Sequence, residues 1–228
     1  MTRFDYGRRT GSPVPFPRTM FFLSKPSKAR IQQFIASQSG FDFSDPHAGN
    51  KSLEAQRGYT VDHNRIELGR GEQVFALASA ALARWEMFNL GWLELLPADA
   101  PIQKGTTVAV LVRHFGFWSL NACRIVRVLD EDGIVQRYGF LYGTLPDHAE
   151  QGVERFTVEW HRDSDGVFYD ILARSRPNKL IAKLGYPLAR ALQKRFARDS
   201  LQAMLRACVT TVGPCADLHR RPPGGACL

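Results

Sequence analysis

The sequence predicts an α+β fold: one strand and an amphipathic helix, then an antiparallel meander of six strands, then a long closing helix. Three observations carry that prediction. Six strand-like runs follow one another with only short turn clusters between them, residues 72–88 place apolar side chains at three-and-four spacing, and residues 180–205 repeat that helical spacing over a longer stretch. Links this short exclude a doubly wound parallel sheet, because parallel neighbours need long crossovers.

Residues 1–20, rich in Pro, Arg and Gly, read as an extended arm. Residues 25–39 set Ile31, Phe34 and Ile35 on one side of a short helix, with Ser24 or Ser27 to cap it and Pro26 tolerated in its first turn. Residues 40–58 hold too many turn formers for a regular element and read as a loop. The first strand, 59–68, stops at Gly69 and Gly71. Helix 72–88 then carries Val74, Phe75, Ala78, Ala81, Leu82, Trp85 and Phe88 on its apolar side. The six further strands are 91–96, 106–115, 119–129, 135–145, 154–161 and 167–173, with turn chemistry such as Asp130-Glu-Asp-Gly133 and Asp163-Ser-Asp-Gly166 between them. In the last region Pro187 either starts the longer helix or kinks a continuous one, and Leu188, Leu192, Phe196, Leu201 and Met204 form its stripe. Beyond Cys208 periodicity ends and a loose tail is expected. The expected organisation is an arm with a short helical extension (1–54), a main domain (55–208) and a flexible tail (209–228).

The chain has 228 residues, 44% hydrophobic and 23% charged, the composition of a folded protein with one moderate core. No stretch reaches the roughly 18 apolar residues that a membrane helix needs. The net charge is +8, and residues 174–206 alone hold nine basic residues and one acid, Asp199. Such a segment attracts nucleic acid, anionic lipid or an acidic partner, or is simply a solvated helix face. Few aromatic residues interleave it, chiefly Tyr186 and Phe196, which disfavours a nucleic-acid platform and leaves a peripheral anionic membrane surface as the alternative.

Cys123, Cys208, Cys215 and Cys227 form no C-x-x-C pair, so zinc and dithiol chemistry are not indicated and a reduced, cytoplasmic setting fits. Arg8-Arg9 is followed by prolines rather than an apolar run, so no export signal is read. The six histidines show no metal-ligand spacing, Gly69-Arg-Gly71 lacks the lysine and spacing of a phosphate loop, and no Ser-His-Asp arrangement is evident. No metal or cofactor is expected.

Several blocks occur in a characteristic order: Gly58-Tyr-Thr-Val-Asp-His-Asn-Arg65 with Leu68-Gly69, Leu90-Gly-Trp92, Thr107-Val-Ala-Val-Leu111 with Arg113-His114, Trp118-Ser-Leu-Asn121 with Cys123-Arg-Ile-Val126, Tyr142-Gly-Thr-Leu-Pro146, and Arg195-Phe-Ala-Arg-Asp-Ser200. The order of elements resembles the helix-grip fold of the START-like, or Bet v 1-like, superfamily. The blocks, across residues 55–208, are similar to a domain-of-unknown-function family of uncharacterised bacterial and plant proteins. The resemblance implies a seven-stranded antiparallel curved sheet gripping the long C-terminal helix, with a cavity between them for a small hydrophobic or amphipathic ligand. Some members of the superfamily use that pocket as a cyclase, hydrolase or dehydratase site. The family brings no catalytic residues with it, and a fold alone cannot choose among these activities.

Strand alternation nominates the site. Val108, Val110, Val112 and His114 point one way, and Ala109, Leu111 and Arg113 the other. Both faces of that strand are apolar, so one needs cover from the amino-terminal extension or from a second subunit, and a homodimer is one way to supply it. Only one of Arg113 and His114 can enter a pocket; Arg113 either fixes a ligand's anionic or carbonyl group or pairs with a strand acid. Tyr138, Phe140 and Tyr142 share a face, with Gly139 and Gly143 opposite, where glycine signals bending or close approach. Glu154, Phe156, Val158 and Trp160 share one face, while Arg155, Thr157, Glu159 and His161 read as solvent-directed. Asp170, between apolar neighbours, should be buried and paired, with Arg113 or Arg124 as candidate partners. Asp62 and His63 face opposite sides and need different partners. The expected ligand wall draws on Arg113, Tyr138, Tyr142, Trp160, Tyr169, Asp170, Leu188, Leu192 and Phe196, with Val108 or Leu111. An enzyme of the same fold would need Arg113, Tyr142 and Asp170 to converge.

Overall fold

The computed structural model describes residues 21–50, 53, 56–114, 116–178 and 186–209, with the side chains of 186–188 excepted. The expected arm (1–20), Phe115 and the tail beyond Val209, with Cys215 and Cys227, lie outside the described residues.

Strand β1 (Phe21–Phe22) and helix α1 (Lys28–Ser37) precede the main body. Strand β2 (Thr60–Arg70), helix α2 (Glu72–Ala83) and a 3-10 turn (Glu86–Phe88) follow. The meander is then β3 (Leu93–Leu96), β4 (Thr107–Arg113), β5 (Trp118–Glu131), β6 (Val135–Thr144), β7 (Glu150–His161) and β8 (Gly166–Pro177), and helix α3 (Tyr186–Val209) closes the chain. The sheet order is β2-β8-β7-β6-β5-β4-β3, all antiparallel. This is the order of elements that the sequence predicts and the helix-grip architecture that the resemblance implies. Its 24-residue closing helix, about 36 Å long, has the length to span the sheet's concave face.

Three elements differ from expectation. The expected helix 72–88 breaks after Ala83, because Trp85 takes a left-handed conformation (φ 60°) that lets its indole donate to the Ala100 carbonyl at 2.8 Å and pack on Phe140. Strand β7 begins at Glu150 rather than 154, since Gly152 lets the two backbones close up. Phe21–Phe22, expected near a loose arm, adds a short strand to the part of β5 that β6 does not reach.

The apolar outer side of β4 is covered from within the chain. Helix α1, capped by Ser27 accepting from the Arg30 amide at 3.3 Å, sets Ile31, Phe34 and Ile35 on Ala109, Leu111 and Leu120. Burying Ile31 contributes about 2 kcal/mol. The following loop lays Phe43, Ala48 and Leu53 over Val126, Leu141 and Val153. Gly143 is required here, since a Cβ on it would sit 2.7 Å from the Phe43 ring. Arg124 ties the loop down through the Gln38 and Phe41 carbonyls at 2.6 and 2.8 Å.

The main core lies on the concave side, where Phe75, Ala78 and Leu82 of α2 and Met204 and Cys208 of α3 meet Phe140, Phe156, Val158 and Tyr169. Cys123 and Cys208 are free and buried. Of the nine basic residues of 174–206, Lys179 and Lys183 lie outside the described residues, and the other seven do not form one patch. Arg174 is 3% exposed and bonded to Asp45, Arg176 donates to Gln151 at 3.1 Å, Arg190 is clamped on Asp62, and Lys194, Arg195, Arg198 and Arg206 are exposed.

Candidate functional site

Strand register divides the concave face into two halves. In one row, Tyr138, Val158, Tyr169 and Ile66 stand side by side on β6, β7, β8 and β2; two residues along each strand come Phe140, Phe156, Ile171 and Asn64; two further on come Tyr142, Glu154, Ala173 and Asp62. Helix α2 fills the first half. The other half stays open beneath α3, as a cavity of about 970 Å³.

That division sorts the expected site residues. Tyr142, Leu192 and Phe196 line the cavity. The side chain of Leu188 lies outside the described residues. Tyr138 packs against the core, Trp160 tilts against Phe75 of α2 at 6.2 Å, and Tyr169 is fully buried with its hydroxyl 3.1 Å from Ser200 Oγ; none of the three reaches the cavity, because α2 occupies their half. Val108 is in the same core and Leu111 lies beneath α1.

Arg113 and Asp170 lie away from the cavity lining. Arg113 is exposed at the end of β4, over the Trp118 ring at 5.9 Å, while its neighbour His114 lines the cavity. Asp170 is buried on the convex face, where its carboxylate takes Arg155 at 2.9 Å and His63 Nε2, in place of the expected Arg113 or Arg124. Beside it Glu159, expected to face solvent, is nearly buried between Arg137 at 2.9 Å and Arg65 at 3.0 Å. Burial pushes its carboxyl up, but those two cations outweigh burial and hold it below the ordinary range. Asp62 and His63 do take opposite sides, with Arg190 on α3 and Asp170 as their partners. Arg113, Tyr142 and Asp170 therefore do not converge.

The cavity brings together a different polar set. Glu154 shares a strand face with Phe156 and Val158, and an acid in that company is the signal by which it stands out in the sequence. The Tyr142 hydroxyl donates to Glu154 Oε2 at 2.8 Å, and among the described residues its other oxygen receives no hydrogen bond. Burial, reinforced by the charges of Glu150 and Asp62, raises the Glu154 carboxyl to about 7 against the opposing effect of the Tyr142 bond. Burial and then Glu154 push the Tyr142 hydroxyl well above its usual value.

Glu150, also raised by burial, accepts from Gln193 of α3. His148 Nδ1 accepts from the Glu150 amide at 2.9 Å, and burial lowers its ring to about 4. His114 is 2.7 Å from Ser119 Oγ, stacks on Phe117 and is also lowered by burial. Asn121 also lines the cavity, with its side-chain amide 3.2 Å from Ser119 Oγ. At neutral pH both histidines and Tyr142 are therefore neutral, and Glu154 is poised between its two forms. Apolar walls come from Phe88, Trp92, Val110, Val112, Ile171 and Phe196.

Among the described residues no helix is long and apolar enough to cross a membrane, and no group of three His, Cys, Asp or Glu side chains is placed to hold a metal ion. A UPF0548 protein of Dictyostelium discoideum is 38% identical over 207 residues, covering 82% of this chain and 95% of that protein. A UPF0548 protein of Deinococcus radiodurans is 36% identical, covering 82% and 98%. The crystal structure of Ara h 8.0201 aligns with a TM-score of 0.42 at 10% identity, over 67% of this chain and 99% of that one. The model of a domain of unknown function, DUF1990, matches residues 46–203, and with the two UPF0548 relatives it establishes that the chain belongs to the DUF1990 family.

Proposed function

We propose that the protein binds a small amphipathic molecule in the cavity between the sheet and α3. One observation carries this reading: an open space of about 970 Å³ has largely apolar walls and a few inward polar groups, among them Glu154 hydrogen-bonded to Tyr142. Ligand sites commonly have volumes of roughly 300–1,000 Å³ and this division between apolar lining and a few convergent polar groups. A row of side chains meant only for packing would have filled the space, as α2 does on the other half of the face. A cytoplasmic setting suits the buried, free Cys123 and Cys208.

The test is native mass spectrometry of the purified protein, joined to titration with the neutral fluorescent probe N-phenyl-1-naphthylamine. The expected result is a stoichiometric apolar passenger, or saturable one-to-one probe binding that Leu192→Trp abolishes while melting stays cooperative. Absence of both passenger and probe binding, or probe binding indifferent to Leu192→Trp, overturns the reading.

A further inference from the structure

Resting on the reading of the cavity as a ligand site, we infer that its occupant is an organic cation: an amine on an apolar body, its ammonium group seated against Glu154 with Glu150 beside it. Glu154 is approached by Tyr142 from β6, Cys123 from β5, Tyr169 from β8, Asp62 from β2 and Glu150 from its own strand. None of these groups is positive. Burial holds the Cys123 thiol and the Tyr169 hydroxyl in their neutral forms.

Arg190 of α3 comes nearest to offering a charge, but both of its terminal nitrogens are on Asp62, and one also meets Gln193 at 2.6 Å. The two histidines that line the cavity are lowered by burial and carry no charge at neutral pH. Lys194 and Arg198 stand on the exposed rim, with Arg198 held by Asp199 at 3.0 Å. Among the described residues Glu154 thus has no cationic partner, while the charge of Arg190 reaches Glu150 and works against the rise that burial causes there.

An ammonium group supplies what is missing. It donates to the unoccupied oxygen of Glu154 in a charge-assisted hydrogen bond, and the Tyr142 hydroxyl keeps the other oxygen oriented. Phe88, Trp92 and Phe196 line the same cavity and supply apolar, aromatic surface for the ligand's body. Cation–π contact already occurs at the rim, where the Arg195 guanidinium lies 4.4 Å from the Trp92 ring centre. A carboxylate ligand reaching in from Lys194 would instead meet Glu150 and Glu154 with like charge. Binding of an ammonium also expels the Glu154 proton, so affinity for amines rises with pH through the neutral range.

Three probes with one body separate the outcomes: 2-(1-naphthyl)ethylamine, 2-(1-naphthyl)ethanol and 1-naphthylacetate, titrated calorimetrically from about pH 6 to pH 8 into the wild type, Glu154→Gln and Leu192→Trp. The amine is expected to bind at least about tenfold tighter than the alcohol near pH 8, the advantage of a charged hydrogen bond over a neutral one. That gap should narrow toward pH 6 and close in Glu154→Gln. Proton release on amine binding near pH 6.5, read from buffers of different ionisation enthalpy, is a second measurement that needs no variant. An alcohol bound as tightly as the amine, a carboxylate bound tightest, or amine binding without proton release overturns the inference and leaves the cavity reading standing. No binding of any of the three, with Leu192→Trp indistinguishable from wild type, overturns the cavity reading itself.

Discussion

The convex and concave faces of one sheet treat buried charge in opposite ways. On the convex face every buried acid named here has its cation: Asp170 has Arg155, Glu159 has Arg137 and Arg65, and Asp45 has Arg174, all within 3.0 Å. On the concave face Glu154 and Glu150 have hydrogen-bond donors in Tyr142 and Gln193, and the guanidinium of nearby Arg190 hydrogen-bonds Asp62 rather than either of them among the described residues. Both faces take carboxylates out of water, yet only the first repays that cost with opposite charge. Matched charges hold the extension onto the sheet; unmatched ones leave a site whose protonation responds to what enters it.

The largest effect should come from unmatching the convex face. Asp45→Ala strands Arg174, which is 3% exposed, and is expected to cost about 3–5 kcal/mol, read as a fall in the urea midpoint. The double change Asp45→Leu with Arg174→Met should cost much less, because no charge is left unpaired. A neutral Asp45→Ala would break the contrast between the two faces.

Next is Glu154→Gln. The folded state keeps this proton up to about pH 7, whereas the unfolded chain releases it near 4.5, so the folded state binds more protons between those values. Stability from this group is then full below 4.5 and is lost as pH rises through 7. The variant should melt higher than wild type at about pH 8, by on the order of 2 kcal/mol, and match it near pH 4.5.

His148→Asn should have the smallest effect and the opposite sign. Burial lowers this histidine from 6.5 to about 4, so the unfolded chain binds more protons in that window and wild-type stability falls as pH drops through it. Asn keeps an acceptor for the Glu150 amide and removes the titration. Thermal melts should show a flatter acid limb, by about 1 kcal/mol, since solvent in the open cavity screens the group. An unchanged acid limb would place His148 in contact with bulk water.

The fold was legible because its signals are local. Alternation in β4 to β8, the helical spacing of α2 and α3, and the Gly and Asp turns each reside within about a dozen residues. The side on which each residue stands was legible for the same reason, including the opposed Asp62 and His63 and the shared face of Glu154, Phe156 and Val158. Trp85 was not, because its left-handed conformation depends on a carbonyl at Ala100.

Most of the site lay beyond such reasoning. Tyr138 and Tyr142 are equivalent by alternation, yet one packs in the core near α2 and the other lines the cavity. What separates them is a cross-strand row, Tyr142 beside Glu154 and Ala173, set against the reach of a helix that ends at Ala83. The sequence by itself determined a meander closed by a long helix, and a concave face that is apolar except for a few acids. The tertiary structure alone decided which half of that face is filled and which acids find a cation, because filling and ion pairing depend on distances between strands and helices far apart in the chain, and no local pattern encodes those.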